Sequence, residues 1–556
     1  MKEKIKKIIK EKNVIHVLVL ILVSVIVSLP LLSSKLNVYV DDGIQHIARS
    51  YGTYEAMKNG VFFGNIIPKF SNGFGYSWNL FYGAFTTIGI MIFRIISGSY
   101  IIGYKMFVYA CLLFSGIFMY KFVSNMSQNK NVGLLAGAMY ILAPYHLTDL
   151  YVRNAIAEFA SFMFIPLIFL GLYNIINNED KNYYLTIGAV GLIFTHNIST
   201  LYTAIFSAIY LIINIKALKN KEVIKALLIN LIFIIVISSS FILPLIETNL
   251  AADYRVYEDE VMATKESVIA QQLPIRRVFV TGDNEGFVFE LGPYMIIMLG
   301  FSVMTVRILK EEYRKDYLFF SIAGLVALLM ATKLFPWGIM PKVLYMIQFP
   351  WRCLEYSSFF FSVVAAINMG AVIKKYSFKD AVIIIFIAII YTVALGGFVR
   401  YTEEIENIEE RSLGHISGME NECIAGMGRA EYLPTNAYNN RFYIATRENK
   451  IYVLTGRAIV ENENKTEAGM TANIKTLEAE TVFELPYIYY PGYEVRADGI
   501  IVENFETENG MLGIKINSNE NITLEIEYTG TKIMKISMLI SIIGAICFCV
   551  YVWKKH

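Results

Sequence analysis

Charge is what this sequence has least of. Asp, Glu, Lys and Arg make up 17% of its 556 residues, where soluble domains carry roughly 25%. A deficit of that size excludes water as the solvent for most of the chain. The net charge of +2 comes without a basic stripe, so no electrostatic footprint for nucleic acid exists. The five cysteines are Cys111, Cys353, Cys423, Cys547 and Cys549. Only Cys423 falls in a long polar stretch, which leaves a disulfide framework without partners, and the others read as buried apolar side chains. Walker, GxSxG, HExxH and CxxC motifs are missing. Soluble nucleotide-driven chemistry and structural zinc therefore lack support.

Apolar residues are abundant, at 55% of the chain with a mean hydropathy of +0.48. Runs that cross, or nearly cross, a ~30 Å hydrocarbon core lie near 14–34, 79–97, 104–123, 131–146, 158–177, 183–195, 197–214, 226–246, 291–309, 317–333, 353–373, 379–397 and 533–552. Lys2, Lys4, Lys6, Lys7, Lys10 and Lys12 precede the first run. No small-residue cleavage site follows it, so it reads as a spanning helix with its lysines held inside. The basic stretches Lys216–Lys225, Arg307–Lys315, Lys374–Lys379 and Lys554–Lys555 read as cytoplasmic. This orientation puts 247–290, 335–352 and 400–532 outside, together with 144–158.

Counting from the N-terminus puts 35–78 outside as well, and the two counts agree only if one apolar run fails to cross. The run 79–97 is the favoured exception, because it starts from the aromatic, Gly-rich stretch Phe74–Gly83; the short run 183–195 is the other candidate. The expected fold is a polytopic α-helical membrane protein with about twelve spanning helices plus juxtamembrane helices. An extracytoplasmic β-rich domain is expected before the last helix. Residues 1–399 would form the membrane domain, 400–532 the β-rich domain and 533–556 the final helix. Both termini would be cytoplasmic, in the plasma membrane of a bacterium. Within 400–532, Asn509-Gly510 between two apolar runs predicts a hairpin. Thr523–Tyr528 alternates, with Leu524, Ile526 and Tyr528 on one face.

Three polar clusters stand out on the expected outer side. The first is Asp41, Asp42, His46 and Arg49; on a helix, the spacing from Asp42 puts His46 and Arg49 on its face. Paired carboxylates can divide labour, since proximity raises the pKa of one of them. The competing reading is a helix cap. The second cluster is His146, Asp149, Arg153 and Glu158. Asp149 and Arg153 are spaced for a structural ion pair, while Glu158 opens an apolar helix where an unpaired carboxylate is costly and often functional. The third is Trp351, Arg352 and Glu355. Here a guanidinium either binds a phosphate bidentately or snorkels with Glu355 as its partner. Arg276 and Arg277 are further phosphate candidates. His196 interrupts an apolar stretch, as a ligand or proton carrier or as a hydrogen-bonded turn residue.

A first spanning helix followed at once by an acidic outer loop resembles the GT-C membrane glycosyltransferases. Asp42-Gly-Ile-Gln-His46, Gln348-Phe-Pro-Trp351-Arg352 and Tyr490-Pro-Gly-Tyr493 resemble the bacterial YfhO-like membrane proteins more closely. The resemblance implies a sugar donor carried on a polyprenyl phosphate and an envelope glycan, lipid or protein as acceptor, with membrane lipids around it. It implies catalysis by Asp41 or Asp42, with Glu158 as the acid of the second loop. Arg352, Arg276 or Arg277 would neutralise the leaving phosphate, and a divalent metal is possible. Two other classes compete: a lipid or glycan transporter or flippase, and a non-catalytic scaffold for surface-polymer assembly. Transporters of this size often carry internal repeats, and none is visible.

Overall fold

The computed structural model describes residues 12–32, 42–258, 263–279, 291–373, 376–394, 430–517 and 520–555. Asp41 and Cys423 lie outside the described residues.

The helices in chain order are α1 (Lys12–Val27), α2 (Gly43–Lys58), α3 (Phe85–Ser97), α4 (Tyr100–Ser127), α5 (Lys130–Ile141), α6 (Pro144–Tyr151), α7 (Ile156–Ile176), α8 (Tyr184–Ile193) and α9 (Asn197–Ile213). They continue with α10 (Lys221–Ala251), α11 (Glu311–Met330), α12 (Leu354–Val372), α13 (Phe378–Ala394) and α14 (Lys532–Lys554), with short helical turns between several of them. Local chemistry sets many of the ends. The Ser99 hydroxyl caps α4, the Asn129 side chain caps α5, Pro144 opens α6 where its missing N–H costs nothing, and Thr531 caps α14.

Among the described residues, five helical segments are long and apolar enough to cross a membrane: Tyr100–Ser127, Ile156–Ile176, Lys221–Ala251, Pro350–Val372 and Lys532–Lys554. The larger number of crossings expected from the apolar runs therefore rests on shorter helices too. The two runs singled out by the parity argument are short in the fold. Residues 79–97 reduce to a turn of helix and the 13-residue α3, and residues 183–195 to the 10-residue α8. At about 1.5 Å per residue neither reaches ~30 Å.

The helices differ in what surrounds them. α7 is buried along its length at the centre of the bundle, whereas α10 and α14 pack on each other at its edge and turn Leu231, Ile232, Ile235, Ile536, Leu539 and Ile543 outward. Serines join this peripheral pair: Ser239 Oγ donates to Ser537 O at 3.1 Å, and Ser240 and Ser541 share a hydroxyl contact of 3.1 Å. Small residues set the closest approach elsewhere. A Cβ on Gly137 of α5 would stand 2.6 Å from the Gly116 carbonyl of α4, so the two backbones touch where glycine faces glycine.

Residues 452–528 form two antiparallel sheets, one in the order β1-β4-β8-β7 and the other β2-β3-β9-β5-β6. The strands are β1 (Tyr452–Thr455), β2 (Ala458–Lys465), β3 (Gly469–Thr476), β4 (Thr481–Ile488), β5 (Tyr493–Ala497), β6 (Ile500–Val502), β7 (Asn504–Glu506), β8 (Met511–Ile516) and β9 (Asn521–Tyr528). The hairpin expected at Asn509-Gly510 joins β7 to β8, and the inward residues of β9 are Ile522, Leu524, Ile526 and Tyr528. The core of the sheets is not closed on itself. It continues into Ile66, Ile67, Phe70, Phe74, Tyr76, Trp78 and Phe81 of the loop after α2. Ile488 N donates to Phe74 O at 2.9 Å, and the Lys465 ammonium to Gly73 O at 2.7 Å. The β region and the first loop are thus one packed unit seated on one end of the helical bundle.

Candidate functional site

Glu158, in the first turn of α7, is the centre of the site. It is 2% exposed. The Tyr145 hydroxyl donates to Oε1 at 2.6 Å, while Arg153 Nη1 and Arg352 Nε donate to Oε2 at 3.0 and 3.1 Å. Arg153 Nη1 also meets Asp149 Oδ1 at 2.6 Å. The expected Asp149–Arg153 pair therefore exists, but it is one edge of a larger network.

The expected pairing of Arg352 with Glu355 does not form. Arg352 lies in a 3-10 turn (Pro350–Cys353) ahead of α12, where its guanidinium reaches across to α7; its Nη1 donates to Gln348 Oε1 at 2.8 Å and to Ile347 O at 3.2 Å. Nor does it snorkel, being only 8% exposed. Glu355, inside α12, instead accepts from the Ser199 hydroxyl at 2.8 Å. Ser199 Oγ lies 2.8 Å from His196 Nδ1, at the N-cap of α9. His196 is thus a bonded turn residue, and it is also close enough to Glu158, Arg352 and Arg153 to feel their charges.

Three carboxylates (Asp149, Glu158, Glu355) share this buried network with two guanidiniums (Arg153, Arg352). One negative charge is in surplus, and among the described residues Asp149 Oδ2 and Glu355 Oε1 have no hydrogen-bond partner. Burial, with the nearby Glu158 charge second, pushes the Asp149 carboxyl well above its ordinary range, against the pull of Arg153. A carboxyl that keeps its proton relieves the surplus.

The first loop closes over this network. Asp42 stands at the N-cap position of α2 without capping it, so the cap reading does not hold. Its backbone N–H donates to Arg153 O at 3.3 Å, and its exposed carboxylate lies within electrostatic reach of Arg153 and Tyr82. His46 and Arg49 follow on the buried face of α2. Among the described residues, Arg49 has no carboxylate partner. It donates to Asn79 Oδ1 at 2.8 Å and to the carbonyls of Tyr82 and Gly83 at 2.8 and 3.2 Å, with Nη1 left unpartnered. Burial lowers its pKa to about 10. Gly83 is required there, since a Cβ would stand 2.2 Å from Phe194 O. Burial, then the Arg49 charge, pushes the His46 pKa down to about 3, so its ring is neutral.

The other expected site residues make contacts of their own. His146 is packed face to face on Phe162, with ring centroids 4.0 Å apart, and its Nδ1 meets Tyr140 O at 3.1 Å, which makes it a core side chain. Trp351 stacks on Phe349 at 4.7 Å. Arg276 and Arg277 sit on a separate loop, joined to 331–333 through Leu273, and Arg276 is exposed. Four residues of the network carried no sequence signal of their own: Tyr82, Tyr145, Ser199 and Asn79. The aromatic, Gly-rich run Phe74–Gly83 was the available hint for Asn79 and Tyr82.

Among the described residues, no group of three or more His, Cys, Asp or Glu side chains is arranged to hold a metal ion. Both Glu158 oxygens already accept, and two guanidiniums beside them repel a divalent cation. These described donors do not fit a metal.

Comparison with known proteins places the chain among membrane proteins. An uncharacterized protein of Lactococcus lactis subsp. cremoris is 26% identical over 343 residues, covering 59% of this chain; the match spans about half of that relative, 55% of its length. The arabinofuranosyltransferase AftD from mycobacteria superposes with a TM-score of 0.41 at 11% identity, over 77% of this chain and 28% of its own. The oligosaccharyltransferase of Archaeoglobus fulgidus, tethered to an acceptor peptide, gives a TM-score of 0.39 at 12% identity, over 72% of this chain and 56% of its own. The model of the family described as "6-pyruvoyl-tetrahydropterin synthase related domain; membrane protein" matches residues 81–399, and by that match over more than half its length the chain belongs to this family of membrane proteins.

Proposed function

We propose that this protein is a membrane glycosyltransferase that moves a sugar from a polyprenyl-phosphate donor to a cell-envelope acceptor on the outer face of a bacterial plasma membrane. The observation that carries the reading is the convergence of Asp42, Arg153, His196 and Arg352, from four separate stretches of sequence, around the buried Glu158. Ionisable groups inside a membrane bundle are costly and mark function by default. The GT-C-like sequence features named above point the same way.

In the proposed reaction, the acceptor hydroxyl oxygen forms a bond to the anomeric carbon as the bond from that carbon to the phosphate oxygen breaks. The bonding pair leaves with the polyprenyl phosphate, and the hydroxyl proton passes to Asp42, or to Asp41 beside it. The leaving phosphate gains negative charge, which Arg352 neutralises with donors already in place. Glu158 has no free oxygen with which to act as a base. Its part is positional, to hold Arg153 and Arg352 at fixed distances. The β region and first loop form the wall on the acceptor side.

The test is transfer in vesicles from a defined polyprenyl-phosphate sugar donor, with Asp41→Asn, Asp42→Asn and the double variant, each checked for membrane insertion. Loss of transfer in at least one single variant is expected. If the singles and the double transfer as well as the parent, the catalytic reading is wrong.

A further inference from the structure

Two tyrosines that make no hydrogen bond to Glu158, one from each half of the chain, lie within electrostatic reach of each other. Tyr82 is flanked by the imidazoles of His46 and His196, each with its ring centroid 6.2 Å away, and by the Arg49 guanidinium at 5.2 Å. Tyr432 belongs to a strap, residues 430–435, that leads into the β region and is sewn down on both sides. Val256 N donates to Glu431 O at 2.7 Å, Arg255 N to Leu433 O at 3.1 Å, Tyr432 N to the Tyr76 hydroxyl at 3.1 Å, and the Tyr490 hydroxyl to Tyr432 O at 3.2 Å. One face of the Tyr432 ring lies on Phe81, with centroids 5.0 Å apart and planes within 12°. Both tyrosines are part-exposed, and neither hydroxyl has a hydrogen-bond partner among the described residues. Tyr432 is within electrostatic reach of Tyr82, Arg49 and Asp42.

A tyrosine at the edge of a core usually buries its ring and gives its hydroxyl a partner. Two that are only partly buried, with hydroxyls unpartnered among the described residues and a carboxylate and a guanidinium nearby, have the composition of a ligand wall. The matching ligand has an apolar face and a rim of hydroxyls, which describes a sugar ring.

We infer that Tyr82 and Tyr432 form a carbohydrate subsite, in which the C–H face of a sugar lies against the tyrosine rings with its hydroxyls toward Asp42 and Arg49. The inference deepens the transferase reading and rests on it for the sugar's origin, the lipid-linked donor. It also gives the C-terminal half of the chain a direct part in the site.

The test is binding, which needs no turnover. Undecaprenyl-phosphate mannose, undecaprenyl-phosphate glucose and sugar-free undecaprenyl phosphate are titrated by calorimetry into the full chain in nanodiscs. The parent is expected to bind at least one sugar-bearing lipid about tenfold tighter than the sugar-free lipid. Tyr82→Ala and Tyr432→Ala should erase that preference, while Tyr432→Phe keeps most of it. Hydrogen exchange of the strap in the Phe variant reports that the fold is intact. A parent without preference for either sugar-bearing lipid, or Ala variants that retain the preference, would overturn the subsite. Failure of the transferase reading shows separately, as a parent that binds these lipids with the stated preference but transfers nothing.

Discussion

This chain builds a Glu–Arg–Tyr cluster twice, once in the helical bundle and once in the β region, and the two differ in how completely they are satisfied. Glu484, on β4, accepts from Arg447 Nη1 at 3.0 Å, the Tyr443 hydroxyl at 2.7 Å, the Thr507 hydroxyl at 2.9 Å and Asn509 Nδ2 at 2.9 Å. One carboxylate meets one guanidinium, and each carboxylate oxygen accepts twice, although Arg447 Nε has no partner among the described residues. Around Glu158, three carboxylates meet two guanidiniums, and Asp149 Oδ2 and Glu355 Oε1 are left without a hydrogen-bond partner among the described residues. A carboxylate whose oxygens are all bonded pins a fold, whereas one left partly unbonded costs stability and is tolerated where chemistry needs it. Burial alone does not separate the two, since both carboxylates are buried. The accounting of partners does.

The largest expected effect lies in the closed cluster. Arg447→Met or Glu484→Ala leaves an unpaired buried partner, which costs about 3–5 kcal/mol. Hydrogen exchange should show the protection of β4 and β8 collapsing while the helical bundle keeps its own. In the open cluster the loss should fall on activity. Arg352→Ala is expected to lower transfer about 10²–10³-fold, the range for removing one preorganised donor, with β-sheet protection unchanged. Equal destabilisation by both sets of variants would erase the distinction.

Acid should act through the histidines. Burial holds His46 and His146 at about 3 in the fold, against about 6.5 when unfolded. The unfolded chain therefore binds more protons below pH 6.5. The stability these side chains contribute is present above that pH and is lost progressively as pH falls toward 3, by up to about 1.4 kcal/mol per pH unit for each. Thermal unfolding between pH 7 and 4 measures this, and His46→Gln should flatten the slope. Asp149→Asn is a smaller change and a sharper comparison with Glu484. Burial raises the Asp149 carboxyl well above its ordinary range, and an amide keeps an oxygen that accepts from Arg153, so stability should move by less than about 1 kcal/mol. Smallest of all, Arg276→Ala, at an exposed position, should move stability by no more than about 0.5 kcal/mol.

Much of the architecture was legible in the sequence. Apolar runs announced the helices, Asn509-Gly510 announced the β7–β8 hairpin, and the alternation in Thr523–Tyr528 gave the inward face of β9. The candidate residues were legible as separate clusters, but their partners were not. Arg352 has Glu355 three residues on, yet it bonds Glu158 across 194 positions, while Glu355 turns to Ser199 across 156. Arg276 and Arg277, read from the sequence as phosphate candidates in the acidic outer loop, lie in the 3-10 turn Ile275–Val278, where Arg276 is exposed. Tyr82, Asn79 and Tyr432 gave no chemical signal until a glycine turn and a strap brought them to the site.

What the sequence determined by itself is the kind of solvent each segment has. Hydrophobic periodicity and charge depletion act within a few residues, and they settle which stretches are helix, which are strand and which prefer lipid. The tertiary structure alone decided which charges meet. That depends on how closely helices approach, as where Gly116 faces Gly137, and on how the first loop and the β region share one core. A buried carboxylate takes whichever donors the packing brings within about 3 Å, and nearness in the chain has no vote.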